Sequence, residues 1–355
     1  MKQRFIGVQI LRFIAAMLVV VMHTTQAISI HITGRGPDHY WANGSAGVDI
    51  FFVISGFVMA MSISNSLANS SDRVSTAWTF LKHRFLRIIP LYWFYTLVKV
   101  IFLLVLPSMA LRSSLEPAHL TSSFFFIPAM SPWDRIEPLL PVGWTLNFEM
   151  FFYLVFALAI ALGAPLIKFF LVTFLGIFLA GRYLSSAVPL VFYAQSIVFE
   201  FVLGVCLAHA MLHYKKIMPK AGLFFIASGV VLMFGLNWSP SADRLLTWGI
   251  AATLLVFGTV VLEPWTAHAP LASRLSFLGD ASYSIYLSHT AVVPIGVMVL
   301  KRLGMQNAFV IASVVGVVVV VFGCLSYLWL ERPMTAFFKR LFFGKTQLTP
   351  PPLKT

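Results

Sequence analysis

QILRFIAAMLVVVMHTTQAI, residues Gln9 to Ile28, is apolar almost throughout except at Arg12 and His23, and the way those two interrupt it decides how the chain is read. A helix of about 20 such residues reaches ~30 Å, the thickness of the hydrocarbon layer of a bilayer. The eleven residues from Arg12 to His23 then turn through about 1100°, three turns and ~20°, and rise ~16 Å. Both side chains stand on one helix face, a permanent cation near one surface and a titratable ring deep along the same stripe. Ionisable groups at such depth are costly and mark function. The arrangement suits gripping an anionic handle while chemistry takes place further in.

The rest of the 355 residues agree with a membrane setting: 59% are hydrophobic, only 10% are charged, and the mean hydropathy is +0.88. A soluble domain would carry about a quarter charged residues. Apolar runs suggest ten spans, near 8–28, 46–64, 86–106, 143–162, 166–183, 191–212, 221–237, 245–262, 275–299 and 307–330. The expected fold is therefore all-α and polytopic, one membrane domain over residues 1–345 followed by a short disordered tail, 346–355, with Pro350 to Pro352. Basic residues precede the first run as in a signal peptide, but Arg12 interrupts it and no clear small-x-small cleavage site follows, so it reads as a retained span.

With both termini placed in the cytoplasm, 17 of the 25 Lys and Arg fall at inner ends, 7 at outer ends and Lys99 within a span. This is the positive-inside bias, and it accounts for most of the +13 net charge without nucleic acid. Cys206 and Cys324 both lie in apolar runs, so they supply neither a disulfide framework nor a metal site, and no metal is expected. The longest outer loop, Ser108 to Pro141, combines five prolines with Phe124 to Phe126 and Trp133, as a folded lid or an interfacial turn would.

Helical rise places His23, Glu149, Asp49 and His289, on four different spans, in one layer toward the outer side, with Asn147 beside them. A carboxylate accepting the imidazole's spare N–H would fix its tautomer and leave the other nitrogen to take a proton from a hydroxyl, the requirement of acyl transfer to an alcohol. Glu149 is the first choice for that orienting group and Asp49 the second. The same polar groups also fit plain hydrogen bonding between helices. At the inner side Arg84 and Arg87, at i and i+3 where span 3 opens, share a face and with Arg12 suit phosphates, although anionic lipid headgroups would suit them too. An extended pantetheine arm is about as long as the ~16 Å from Arg12 to His23, so a coenzyme A gripped inside would present its thioester near the histidine. Gly47-Val-Asp-Ile-Phe-Phe-Val-Ile-Ser-Gly-Phe57 ends with small residues that permit close approach of a helix or ligand, and Gln195, Glu200, Asp280, Ser282, Tyr283, Tyr286 and Ser288 are further polar groups within spans.

Arg12 and His23 separated by ten residues, the pair Arg84 and Arg87, the stretch Gly47 to Phe57, and Trp144, Leu146 and Glu149 together resemble the motifs of the acyltransferase 3 family, in order and over nearly the whole chain. Gly143 to Tyr153 and Tyr283 to His289 look most like its exopolysaccharide-production branch. The resemblance implies a ten-helix membrane domain in the bacterial inner membrane that takes an acyl group, usually acetyl, from acyl-coenzyme A inside and places it on a glycan. His23 would be the catalytic residue, with Glu149 or Asp49 orienting it. Arg12, Arg84 and Arg87 would bind acetyl-CoA phosphates, and Trp133, Trp144, Asn147 and His289 would meet the acceptor. Expected partners are an exopolysaccharide or lipid-linked oligosaccharide, membrane lipid and a polysaccharide assembly machinery. Two rivals stay open: a proton-coupled transporter or flippase with His23, Asp49 and Glu149 as its relay, and a scaffold without chemistry.

Overall fold

A computed structural model describes residues 5–36, 40–69, 72–105, 115–184, 186–213, 219–236 and 242–344. Among them the regular elements are helices: α1 (Ile6–Ile28), α2 (Ala46–Asn69), α3 (Arg73–Val105), α4 (Pro117–Phe124), α5 (Trp144–Leu162), α6 (Leu166–Tyr183), α7 (Val188–Tyr193), α8 (Val198–His213), α9 (Pro219–Val230), α10 (Ile250–Val261), α11 (Glu263–Thr266), α12 (Ala272–Asp280), α13 (Ser282–Arg302), α14 (Ala308–Ser326) and α15 (Arg332–Phe343). Seven continuous helical stretches of the described residues are long and apolar enough to cross a membrane, and Val198–His213, Lys220–Gly235 and Leu245–Val261 are apolar but shorter. The expected tail, 346–355, and the first part of the expected lid, 108–114, lie outside the described residues.

Several helix boundaries differ from the hydropathy reading. The third helix begins at Arg73 rather than near residue 86, because its first three turns are amphipathic, with Trp78 exposed and the Lys82 ammonium over the Trp78 ring. Arg84 and Arg87 therefore sit inside a helix and do not open it. The expected span 275–299 is broken at Ala281 into α12 and α13, and the expected span 191–212 starts at Val198 after the separate short α7. The last span continues through a π-helical turn, Tyr327–Glu331, into α15, a stretch ending at Phe343 and not at residue 330.

Packing is tightest around α2. Gly56 lies against the Phe201 carbonyl of α8, and Gly204 of α8 lies against the Val53 carbonyl of α2, so each glycine admits the other helix's backbone. Next to this crossing the Phe201 ring stacks at 4.4 Å on both Phe52 and Phe152, and Phe152 stacks at 4.9 Å on Phe170. Such aromatic pairs contribute about 0.5–1.5 kcal/mol each beyond their area. The start of α2 seats on α1 through Gly44, under Leu18 and Met22, and Gly47, under Ala15 and Val19. The most apolar windows of α2 and α5 are 72% and 67% buried, against 11% for α6 and 22% for Ala308–Phe343, so α2 and α5 are central and the other two present apolar flanks outward.

The free end of α1 is tied down from a distance. Its first N–H groups need acceptors, and the Glu263 carboxylate of α11 takes those of Ile6 and Gly7, the latter at 2.9 Å. Burial raises the Glu263 pKa above its usual value, and the two N–H donors pull the other way. Glu263→Ala is expected to lower stability by about 1–2 kcal/mol, with Glu263→Gln milder, as read from thermal unfolding in detergent. An unchanged midpoint would mean that this end of α1 is held by something else.

Candidate active site

α1 runs without interruption through both Arg12 and His23, so the two keep their helical spacing of ~16 Å on one face. Arg12 of α1, Arg84 and Arg87 of α3 and Glu149 of α5 line one cleft of about 800 Å³. The Arg84 guanidinium donates to Ser62 Oγ at 3.1 Å and lies 5.4 Å from the Phe80 ring centre, and Arg12 donates to Gln9 Oε1 at 3.2 Å. Glu331, Glu149 and Asp280 attract Arg12, and Arg87 repels it. Of these carboxylates only Glu149 lines the cleft, so its three guanidinium groups leave the lining able to accept an anionic group.

The lining follows α2 from Met59 to Val48, and Phe51, Thr145 and Tyr286 contribute to it toward the Val48 end. His23 is not among its lining residues. Because Gly44 packs under Met22, His23 stands level with the residues that precede α2, four positions before Val48. There its half-buried ring lies 5.1 Å from the ring of His289 and its side chain bonds to Gln26, one turn further along α1. His289 is 1% exposed, and its ring has no side-chain hydrogen-bond partner among the described residues, only the backbone of Ile285 and Tyr286 nearby. The Tyr286 ring centre is 5.7 Å from that of His289. A short series, cleft to Tyr286 to His289 to His23, thus joins the arginines to the catalytic candidate.

Two expectations for the carboxylates are corrected. Glu149 does not orient His23: its Oε1 accepts from Ser55 Oγ at 3.0 Å and from Tyr153 OH at 2.6 Å. Asp49 does not either: both its oxygens are held by Arg244, at 2.9 Å from Nε and 2.7 Å from Nη2. Nor does Glu149 share the depth of His23: Gly44 packs under Met22, and Ser55, the partner of Glu149, is ~16 Å further along that chain segment. α1 packs on α2, α12, α13 and α14, and α5 packs on α3 and α6, so Glu149 faces the arginine cleft. His23, Asp49 and Glu149 consequently form no contiguous proton relay.

Of the residues expected to meet an acceptor, Trp133 is 48% exposed on the loop that follows α4, which is anchored to α3 by Tyr92 OH and Trp93 Nε1 on the carbonyls of Ser123 and Phe124. Trp144 lies under the Arg244 guanidinium at 5.9 Å, and Arg244 also covers Trp248 at 5.0 Å. Asn147 is buried, and its Oδ1 has no hydrogen-bond partner among the described residues. His289 is therefore the one of these four in ring contact with His23.

The sequence reading passed over Glu331, which ends the π-helical turn, accepts from Ser284 Oγ at 2.6 Å and shares the field of Arg12 and Arg87. A glutamate directly after the apolar run of the last span was the available signal. Arg244, one of the seven basic residues expected at outer ends, closes a buried cluster with Asp49 and Glu200.

Three comparisons bear on this arrangement. The acyltransferase 3 family model, described as an acyltransferase domain, matches residues 5–329. The chain is similar to the exopolysaccharide production protein ExoZ of Rhizobium meliloti (strain 1021), 37% identical over 310 residues that cover 83% of this chain and 91% of that protein. It is also similar to the acyltransferase MdmB of Streptomyces mycarofaciens, 30% identical over 155 residues, 42% of this chain and 37% of that one. No solved structure matches.

Proposed function

The chain belongs to the acyltransferase 3 family and is an enzyme that transfers acyl groups; from that premise we propose that it is a bacterial inner-membrane O-acetyltransferase, moving acetyl from cytoplasmic acetyl-CoA to a hydroxyl of an exopolysaccharide or lipid-linked glycan. The observation that carries the reading is the convergence of Arg12, Arg84 and Arg87 on a cleft whose lining at Tyr286 is joined to His23 through the His289 ring. In this reading the arginines hold the phosphates of coenzyme A and the pantetheine arm follows α2 toward Tyr286. The likeness to a protein of exopolysaccharide production points to the glycan.

His23 then removes the proton from the acceptor hydroxyl as its oxygen attacks the thioester carbon. A C–O bond forms, the C–S bond breaks, and the departing thiolate takes the proton from the imidazolium. The Gln26 side chain and the His289 ring hold the imidazole in place, the part expected of a carboxylate. The acceptor enters from the side of His289 and Trp144, opposite the coenzyme.

The test incubates purified protein in lipid nanodiscs with labelled acetyl-CoA and an exopolysaccharide fragment and follows free thiol and labelled glycan together. Equimolar release of thiol and appearance of acetyl ester is the expected result. Absence of both would reject the proposal, and proton-coupled uptake in their place would make the protein a transporter. Arg12→Gln is expected to weaken coenzyme A binding about 10- to 100-fold, the loss of charge-assisted bonds of ~1.5–3 kcal/mol, as measured by calorimetry. Unaltered affinity would place the phosphates elsewhere.

A further inference from the structure

The cleft lining nearest His289 is built from few side chains. Tyr286 is 6% exposed, and its hydroxyl donates to the Val142 carbonyl at 3.1 Å and shares a 3.0 Å bond with Thr145 Oγ1. Thr145 Oγ1 is also 3.0 Å from that carbonyl and, having one proton, gives it either there or to the phenol, and in the second case Tyr286 is held by two bonds. The Phe51 ring meets the Tyr286 ring edge to face at 6.0 Å. On one side Tyr286 and Phe51 line the arginine cleft, and on the other Tyr286 touches His289, one turn further along α13, which touches His23. A group moving from the arginines to His23 meets this phenol, held by hydrogen bonding that a rotation about its χ angles would break.

We propose that Tyr286 is a gate between the cleft and the His23–His289 pair, and that its tethered ring restricts the acyl donor to short chains of acetyl size. This rests on the acyl-transfer reading and narrows its substrate. The ring must swing aside for the thioester carbonyl to come within reach of a hydroxyl activated by His23. The void it leaves is bounded by Phe51 and His289, and each added methylene must find room there. Thr145 acts only through Tyr286, by holding the hydroxyl in the closed position, and is a positioning residue.

Two measurements separate the gate from the function. The first compares kcat/KM for butyryl-CoA and acetyl-CoA in the wild type, Tyr286→Ala, Tyr286→Leu and Thr145→Val. Removing the ring is expected to raise the butyryl-to-acetyl ratio by at least about 10-fold, the discrimination typical of one or two methylenes in a closed pocket. Thr145→Val keeps the ring and is expected to raise acceptor-independent hydrolysis of acetyl-CoA several-fold with little change in the ratio. Active Ala and Leu variants whose ratio stays within about 2-fold of the wild type overturn the proposal.

The second measurement needs no catalysis. His23→Cys, in a chain whose Cys206 and Cys324 have been changed to Ala, is exposed in inside-out vesicles to a membrane-impermeant thiol reagent. Adding Tyr286→Ala is expected to speed labelling at least about 10-fold, and equal rates overturn the gate whether or not the protein transfers acyl groups. Accelerated labelling in a protein inactive toward every acyl-CoA upholds the gate and rejects the acyl-transfer reading.

Discussion

His23→Ala is expected to lower acetyl transfer by at least about 100-fold while the protein still inserts and folds. Loss of a general base costs about 10²–10⁴ in rate. The ring is half-buried outside the cleft and its neighbours are His289 and Gln26, so its removal leaves a small void beside a polar pair and no unpaired buried charge. Coenzyme A affinity, which the arginines some 16 Å away would set, should hold. The measurement is single-turnover acetyl transfer beside calorimetric binding on the same preparation. Activity within about 3-fold of the wild type would remove His23 from the chemistry and leave His289 as the alternative. His289→Ala, tested in parallel, should lower the rate less, because in the proposed reaction it supports His23 and takes no proton.

Gly56→Val is expected to abolish accumulation of folded protein. A side chain at this position meets the Phe201 carbonyl, and that group belongs to a helix whose own Gly204 is pressed against the Val53 carbonyl. Neither backbone can yield without separating α2 from α8. Overpacking in a core costs about 1–3 kcal/mol where side chains can shift, and more is expected where only backbone is available. The adjoining rings, Phe52 on Phe201 and Phe201 on Phe152, would lose their stacking together. Size-exclusion yield and thermal unfolding in detergent check this, with Gly56→Ala predicted to lie between the wild type and valine. A monodisperse Gly56→Val protein with a wild-type melting temperature would show that the crossing relaxes.

Much of this architecture is legible in the sequence for a definite reason. Helical rise and twist are constants, so the coincidence of Arg12 and His23 on one face follows from their spacing alone, and the polar face of Arg84 and Arg87 follows in the same way. The rotation of one helix against another is not written in any single stretch. Depth counted from the span ends puts Glu149 and Asp49 beside the histidine, yet Glu149 meets Tyr153 and Ser55, ~16 Å further along the second helix than Gly44, and Asp49 meets Arg244, a residue some 195 positions along the chain. Helix ends were equally hidden where amphipathic turns extend an apolar span, as at Arg73, or where a polar residue ends it, as at Glu331. The break at Ala281 occurs without proline, and the His23–His289 contact joins residues that only the packing of α1 on α13 brings together.

The unbroken course of α1 has one more consequence. Tied at its start by Glu263 and seated on α2 at Ala15 and Val19, it behaves as a ruler graduated in whole turns. Inserting one residue between Arg12 and His23 would swing the imidazole by about 100° and out of line with the guanidinium, while adding seven would realign them but lengthen the interval by ~10 Å. Exposed side chains along this segment, Ile14 and Val21 among them, can vary; its length cannot. In the proposed reaction the reach of the acyl donor is recorded in a count of residues.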